Sequence, residues 1–131
     1  MNDRGSADER RVVLVTGSSR GLGRAMAERF GREGYRVAVH YVASAGPAEE
    51  VVKTIEAAGG EAAAFGADVA DPAACQALVK GVVERFGRLD VLVNNAGITR
   101  DGLVLRMKDD DWQAVLNTNL SSAFYLSKAA L

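Results

Sequence analysis

The sequence predicts an α/β fold, a parallel sheet doubly wound with helices on both faces. Two observations carry that prediction. Short apolar runs alternate with longer stretches of helical periodicity along the whole chain. The glycine-rich and polar segments fall at the carboxyl ends of those apolar runs, where open α/β sheets bind their ligands.

The first run, Val12 to Val15, is unbroken, as suits a parallel strand covered on both faces. Gly17, Gly21 and Gly23 follow in a G-x-x-x-G-x-G spacing that lets the backbone turn sharply and approach a ligand. Leu22, Met26 and Phe30 recur at helical spacing, with Ala25 on the same face. A helix that begins in such a loop turns unpaired N–H groups and its positive dipole end toward a phosphate. It is expected to run to about Arg32, with Gly34 at its C-terminal end.

Tyr35 to Tyr41 read as a second strand and Ser44, Gly46 and Pro47 as a loop, with Pro47 suited to a first helical turn. A second helix turns Val51, Val52 and Ile55 inward and stops at Gly59-Gly60. Glu61 to Ala67 form a third strand, weakened by its alanines. Asp71-Pro72 opens a third helix, Asp as cap and Pro in first position, with Cys75, Val79, Val82 and Phe86 on one face and Gly87 as its close. Leu89 to Val93 form a fourth strand. The segment from Asn94 to Met107 is a loop before a last helix that begins near Asp109.

One-helix connections between successive strands are right-handed and give a parallel sheet, so the predicted architecture is a Rossmann-type domain, truncated after its fourth strand and the following helix. The glycine loop, His40-Tyr41, Asp68-Val69 and Asn94-Asn95-Ala96-Gly97 then meet at one edge of the sheet. Residues 11–131 form the cofactor-binding part of this single domain. Residues 1–10 are polar and of mixed sign, lack the apolar core of a signal peptide, and read as a disordered lead-in.

A length of 131 residues suits one core. A net charge of −1 gives no reason to expect a nucleic-acid partner, and no apolar run is long enough to span a membrane. The single cysteine, Cys75, cannot form an internal disulfide, which fits a reducing cytoplasm, and its place in a helical pattern makes it a small packing residue. No metal site is expected.

These motifs resemble those of the short-chain dehydrogenases/reductases. Thr16 to Gly23 resembles their T-G-x-x-x-G-x-G cofactor loop, Asn94-Asn95-Ala96-Gly97 their N-N-A-G motif, and Asp68-Val69 their adenine-contacting pair. Asn119, in Asn117-Thr118-Asn119-Leu120, matches the family's active-site asparagine. The resemblance runs from Arg11 to Leu131. It implies cofactor contacts from Gly17, Ser18, Ser19, Arg20, Gly21, Leu22 and Gly23, then from His40, Tyr41, Asp68, Val69, Asn94, Ala96 and Gly97.

Gly97-Ile98-Thr99-Arg100-Asp101, Arg106-Met107-Lys108-Asp109 and Asn119-Leu120-Ser121-Ser122 are similar in particular to the bacterial 3-oxoacyl-[acyl-carrier-protein] reductases. That resemblance implies NADPH-dependent reduction of a 3-oxoacyl thioester in fatty-acid elongation, on an acyl-carrier-protein-linked or CoA-linked substrate, by a dimer or tetramer when full length. Acetoacetyl-CoA reductases and sugar or alcohol dehydrogenases are similar enough to stand as alternatives.

A cofactor with a free ribose 2′-OH usually meets an acid at the end of the second strand. Here that end reads Val39-His40-Tyr41-Val42-Ala43-Ser44, without one, and Arg20 in the glycine loop can pair with a 2′-phosphate. NADP(H) is therefore expected rather than NAD(H). His40, the only histidine, either lies near the adenine ribose or phosphate or is a neutral strand-end histidine. Asn94 either meets the cofactor ribose or ties neighbouring strand ends together through its amide.

The family's proton donor is a Tyr in Y-x-x-x-K, with a nearby Ser, after a fifth strand. Of the catalytic four only Asn119 falls in this chain. Tyr125-Leu126-Ser127-Lys128 is one residue short of the motif and reads as a packing face. The 131-residue chain alone is expected to be inactive and marginally stable, with Leu89 to Val93 left as an apolar edge. The alternative is a nucleotide-binding fragment with no catalysis of its own.

Overall fold

The computed structural model describes residues 9–95. Strands and helices alternate as β1 (Val12–Val15), α1 (Gly21–Arg32), β2 (Arg36–Tyr41), α2 (Ala45–Ala57), β3 (Glu61–Gly66), α3 (Pro72–Phe86) and β4 (Val91–Val93). The helix expected from Asp109 and the loop from residue 96 onward lie outside the described residues. So does the lead-in, apart from Glu9 and Arg10, which the structure engages: Arg10 pairs with Glu61 at 2.6 Å, and the Glu9 carbonyl lies 3.5 Å from the Arg88 guanidinium.

All pairings are parallel, in the order β3-β2-β1-β4. The chain winds outward from β1 through β2 to β3, then crosses back to place β4 on the other side of β1. That reversal opens a crevice at the carboxyl ends of β1 and β4. Because side chains alternate along a strand, β1 feeds two cores. Val12 and Leu14 pack with Cys75, Leu78, Val79, Val82 and Phe86 of α3. Val13 and Val15 pack on the opposite face with Ala27 of α1 and with Val51, Val52 and Ile55 of α2. All four β1 residues are wholly buried, which is why this strand shows no polar alternation.

Helix α1 departs from the expected face. Leu22 is 69% exposed and Ala25 is exposed, while Gly23 and Ala27 are buried and Met26 and Phe30 lie partly covered beside them. The backbone takes precedence over side-chain size here. Gly23 must press against Gly17 and Gly31 against Ile55, so the helix turns its smallest residues toward the sheet and its neighbour.

The strand starts also shift. Tyr35 N–H still donates to the Phe30 carbonyl at 3.1 Å, and its ring meets Phe30 edge-on, so β2 begins at Arg36. β4 begins at Val91 rather than Leu89 because Asp90 replaces part of the ladder. Its carboxylate accepts from Val12 N–H at 2.8 Å and its own N–H donates to the Val12 carbonyl at 2.9 Å. Arg88 holds the same carboxylate through two contacts of 2.8 Å, and that bonding sets the Asp90 carboxyl below the usual range. At this edge Arg36 is buried, donating to the Phe86 carbonyl at 3.0 Å and the Arg10 carbonyl at 2.9 Å, with its guanidinium 5.5 Å from the Phe86 ring centre.

Helix ends follow their local chemistry. Asp71 caps α3 by accepting from Ala73 N–H at 3.1 Å, with Pro72 behind it, and Gly87 closes the helix at φ 86°. Among the described residues no helix is long and apolar enough to cross a membrane.

Leu14 lies at the centre of the sheet with no exposed surface. Leu14→Ala is expected to cost about 2–5 kcal/mol, seen as a fall in the urea midpoint of the chain.

Candidate functional site

The glycine loop between β1 and α1 is held from below. Gly17 adopts φ 63°, the left-handed region, so its N–H turns inward and donates to Nδ1 of His40 at 2.9 Å. An Nδ1 that accepts carries no proton. His40 is therefore the Nε2–H tautomer, and that proton goes to the Ala67 carbonyl at 2.9 Å. The ring is wholly buried, and burial lowers its pKa from 6.5, so it is neutral at pH 7.

Ser18 forms a second tie. Its hydroxyl donates to the Val15 carbonyl at 2.6 Å and accepts from His40 N–H at 2.9 Å, and its own N–H donates to the His40 carbonyl at 3.1 Å. Ser18 was expected at the cofactor surface, and His40 either near the cofactor or as a neutral strand-end histidine. The structure places their side chains beneath the loop with every polar atom engaged, the strand-end role for His40.

From the other side the loop is held by β4. Thr16 N–H donates to the Val93 carbonyl at 3.1 Å, and Thr16 Oγ1 accepts from Asn95 N–H at 2.9 Å. The Asn95 amide donates to the Gly17 carbonyl at 3.2 Å. Asn95, which sequence reasoning left out of the site, thus takes a strand-tying role of the kind weighed for Asn94. Its signal was its place beside Asn94 in the same motif. Asn94 is exposed at the strand end.

The third glycine completes the packing. A Cβ on Gly23 would lie 2.2 Å from the Gly17 carbonyl oxygen and 2.5 Å from the Asn95 amide nitrogen. Gly21 differs: it adopts φ 56°, and a Cβ there would meet nothing within 4 Å, so the space above it is open.

Above the loop the chemistry favours an anion. Arg20 precedes α1 in an extended conformation without capping the helix, and no acid sits in the first turn. The first N–H groups of the helix point into the open space with the positive end of the dipole. Beside them lies a cleft of about 210 Å³, lined by Gly17, Ser19 and Arg20 on one side and residues 41–44 on the other, none of them acidic. These features fit a phosphate-bearing nucleotide.

Asp68 and Val69 divide their roles. Asp68 is exposed and its carboxylate accepts from Ala70 N–H at 3.0 Å, whereas the Val69 side chain is buried in the α3 core. Tyr41 covers the end of β3, its ring within 2.7 Å of where a Cβ on Gly66 would sit. Leu22 stands exposed on α1. Cys75 packs as expected: the thiol lies against the Val69 carbonyl, and burial, then Asp71 and Asp68, push its pKa up to about 11. Ala96, Gly97 and Asn119 lie outside the described residues. Among the described residues no cluster of side chains could hold a metal ion.

Comparison with known proteins gives a consistent picture. The family model described as short chain dehydrogenase matches residues 11–131. The chain is 53% identical over 112 residues to the 3-oxoacyl-[acyl-carrier-protein] reductase FabG of Staphylococcus aureus, covering 86% of this chain and 46% of that protein. It is 51% identical over 118 residues to the 3-oxoacyl-[acyl-carrier-protein] reductase of Synechocystis, covering 90% and 48%. The chain thus spans about half the length of the curated relatives it matches. Among solved structures, a double mutant of a Serratia marcescens short-chain dehydrogenase/reductase superposes with a TM-score of 0.87 at 43% identity, over 92% of this chain and 49% of that one. A short chain dehydrogenase from Mycobacterium avium gives 0.87 at 42%, over 92% and 44%.

Two substitutions probe the cradle. Gly23→Ala forces the Gly17 carbonyl or Asn95 to move and is expected to destabilise by about 1–3 kcal/mol. Ser18→Ala leaves the buried His40 N–H without its acceptor and is expected to cost about 1–3 kcal/mol. Chemical denaturation measures both.

Proposed function

This chain belongs to the short chain dehydrogenase family, and we propose that it is the cofactor-binding half of an NADPH-dependent 3-oxoacyl-[acyl-carrier-protein] reductase. The observation that carries this reading is the acid-free cleft between Arg20 and residues 41–44, next to a glycine loop built to receive a phosphate. The identity to 3-oxoacyl-[acyl-carrier-protein] reductases over most of the chain supports the substrate class.

The bound nicotinamide dinucleotide supplies the hydride for ketone reduction. The protein's own residues bind and orient it. Backbone N–H groups at the start of α1 would receive the pyrophosphate, with open space beside Gly21 for its close approach. Arg20 would pair with a 2′-phosphate in a charge-assisted contact, and the cleft lining offers no carboxylate to repel one. Asp68 and the backbone at Val69 would hold the adenine. By the family resemblance Asn94, Ala96 and Gly97 would contribute to holding the cofactor, and Asn119 would order a proton relay through water and lysine. The Ser, Tyr and Lys of the family's catalytic set have no match among these 131 residues, and no turnover is expected of these residues alone. The full-length enzyme acts in the cytoplasm as a dimer or tetramer on acyl-carrier-protein-linked or CoA-linked 3-oxoacyl substrates.

Arg20→Ala is expected to weaken NADPH binding by about tenfold or more, the worth of one charge-assisted contact, and to leave NADH nearly unchanged in fluorescence titrations. Equal losses for both would contradict the phosphate assignment. Incubating the purified chain with NADPH and a 3-oxoacyl thioester should give no oxidation at 340 nm above background. Turnover would overturn the placement of the proton donor outside the chain.

A further inference from the structure

We propose that His40 is a positioning residue for the dinucleotide loop: its imidazole bridges Gly17 and Ala67 from beneath and sets the backbone that receives the pyrophosphate. The inference rests on the nucleotide reading given above. The ring touches no ligand; it acts through Gly17.

The geometry makes the bridge specific. Gly17 N–H is turned away from the ligand side and needs an acceptor in the interior, and Nδ1 of His40 is that acceptor at 2.9 Å. Nε2 meets the Ala67 carbonyl at 2.9 Å, so one ring joins the loop after β1 to the turn after β3 across the end of β2. The His40 backbone is fixed as well, its N–H and carbonyl both taken by Ser18. With no exposed surface, the ring has no room to rotate away without breaking this set.

The same geometry ties the loop to one protonation state. An imidazolium donates from both nitrogens, so Gly17 N–H would face a second donor and the loop would have to lift. Ionisable side chains on the surrounding segments are Arg20 in the loop, Tyr41 on β2, Asp68 and Asp71 beyond β3, and Cys75 on α3; β1 carries none. Arg36 and Glu61 stand at the opposite end of the sheet. Burial is the larger influence on the ring and lowers its pKa, and the Ala67 carbonyl acts more weakly the other way. The sign follows: the bridge is fully present above the ordinary pKa of 6.5 and is lost as pH falls through the lowered value. Cofactor affinity should follow it.

The full chain has a single histidine, so one 15N-labelled imidazole reports the bridge without overlap. Expected are the Nε2–H tautomer, a titration below 6.5 and a Gly17 amide shift that follows it. NADPH affinity, read by fluorescence titration, should be flat above about pH 7 and weaken on acidification. His40→Phe keeps the ring volume and removes both nitrogens; it should weaken NADPH about tenfold at pH 7.5, the worth of one hydrogen bond, and abolish the part of the pH dependence that exceeds the titration of the 2′-phosphate itself. His40→Asn returns a carbonyl acceptor near the Nδ1 position and should recover most of the affinity, without the imidazole's part of the pH dependence.

An imidazole that titrates at or above 6.5, or His40→Phe binding NADPH as the wild type does, overturns this inference alone. Should His40→Phe fail to fold, a wild-type NADPH affinity that stays constant through the imidazole titration has the same force. A wild-type chain that binds no NADPH at any pH overturns the nucleotide reading and this inference with it.

Discussion

The structure of the site depends on one hydrogen bond, from Gly17 N–H to the buried Nδ1 of His40. A loop that offers backbone donors to a ligand cannot hold itself together with those same donors. It has to be fastened by whatever N–H and C=O groups face inward. Gly17 supplies an inward N–H by entering the left-handed region, which costs glycine little. His40 accepts it, Asn95 takes the carbonyl of the same residue, and Ser18 locks the adjoining strand end. The loop is thus fastened from its underside, without using the first N–H groups of α1.

The opposite end of the sheet solves a similar problem with charged groups. Arg36 is buried but donates to two carbonyls and lies beside the Phe86 ring, so its desolvation is offset by directed contacts. Asp90 serves as a surrogate carbonyl for Val12 and is held in place by Arg88. Side chains thus take over where the β1 ladder runs out, and they set the height at which β4 joins it. The register of β4 against β1 in turn decides where Asn95 meets the glycine loop.

Much of this was legible in the sequence because the signals are local. Unbroken apolar runs marked strands buried on both faces, glycines and the Asp71-Pro72 pair marked helix ends, and the G-x-x-x-G-x-G spacing marked the loop. Cys75 read correctly as packing because its neighbours on the helix are apolar. Helix α1 read less well. Its large residues suggested one buried face, but the buried face belongs to Gly23 and Ala27, because close backbone approach is invisible to a scale of side-chain hydrophobicity.

By itself the sequence determined the order of elements, the place of the ligand crevice, the absence of an acid at the end of β2 and the family likeness, all properties of which residue stands where. The tertiary structure decided which polar residues hold the scaffold. His40, Ser18 and Asn95 all stand in motifs that read as cofactor-binding, yet their side chains are bonded inward to Gly17, Ala67 and Val15. The reason is physical. A buried donor or acceptor must find a partner, and apart from the Ser18–Val15 contact the partners here lie 22 to 78 residues apart in the sequence, beyond the reach of any local pattern.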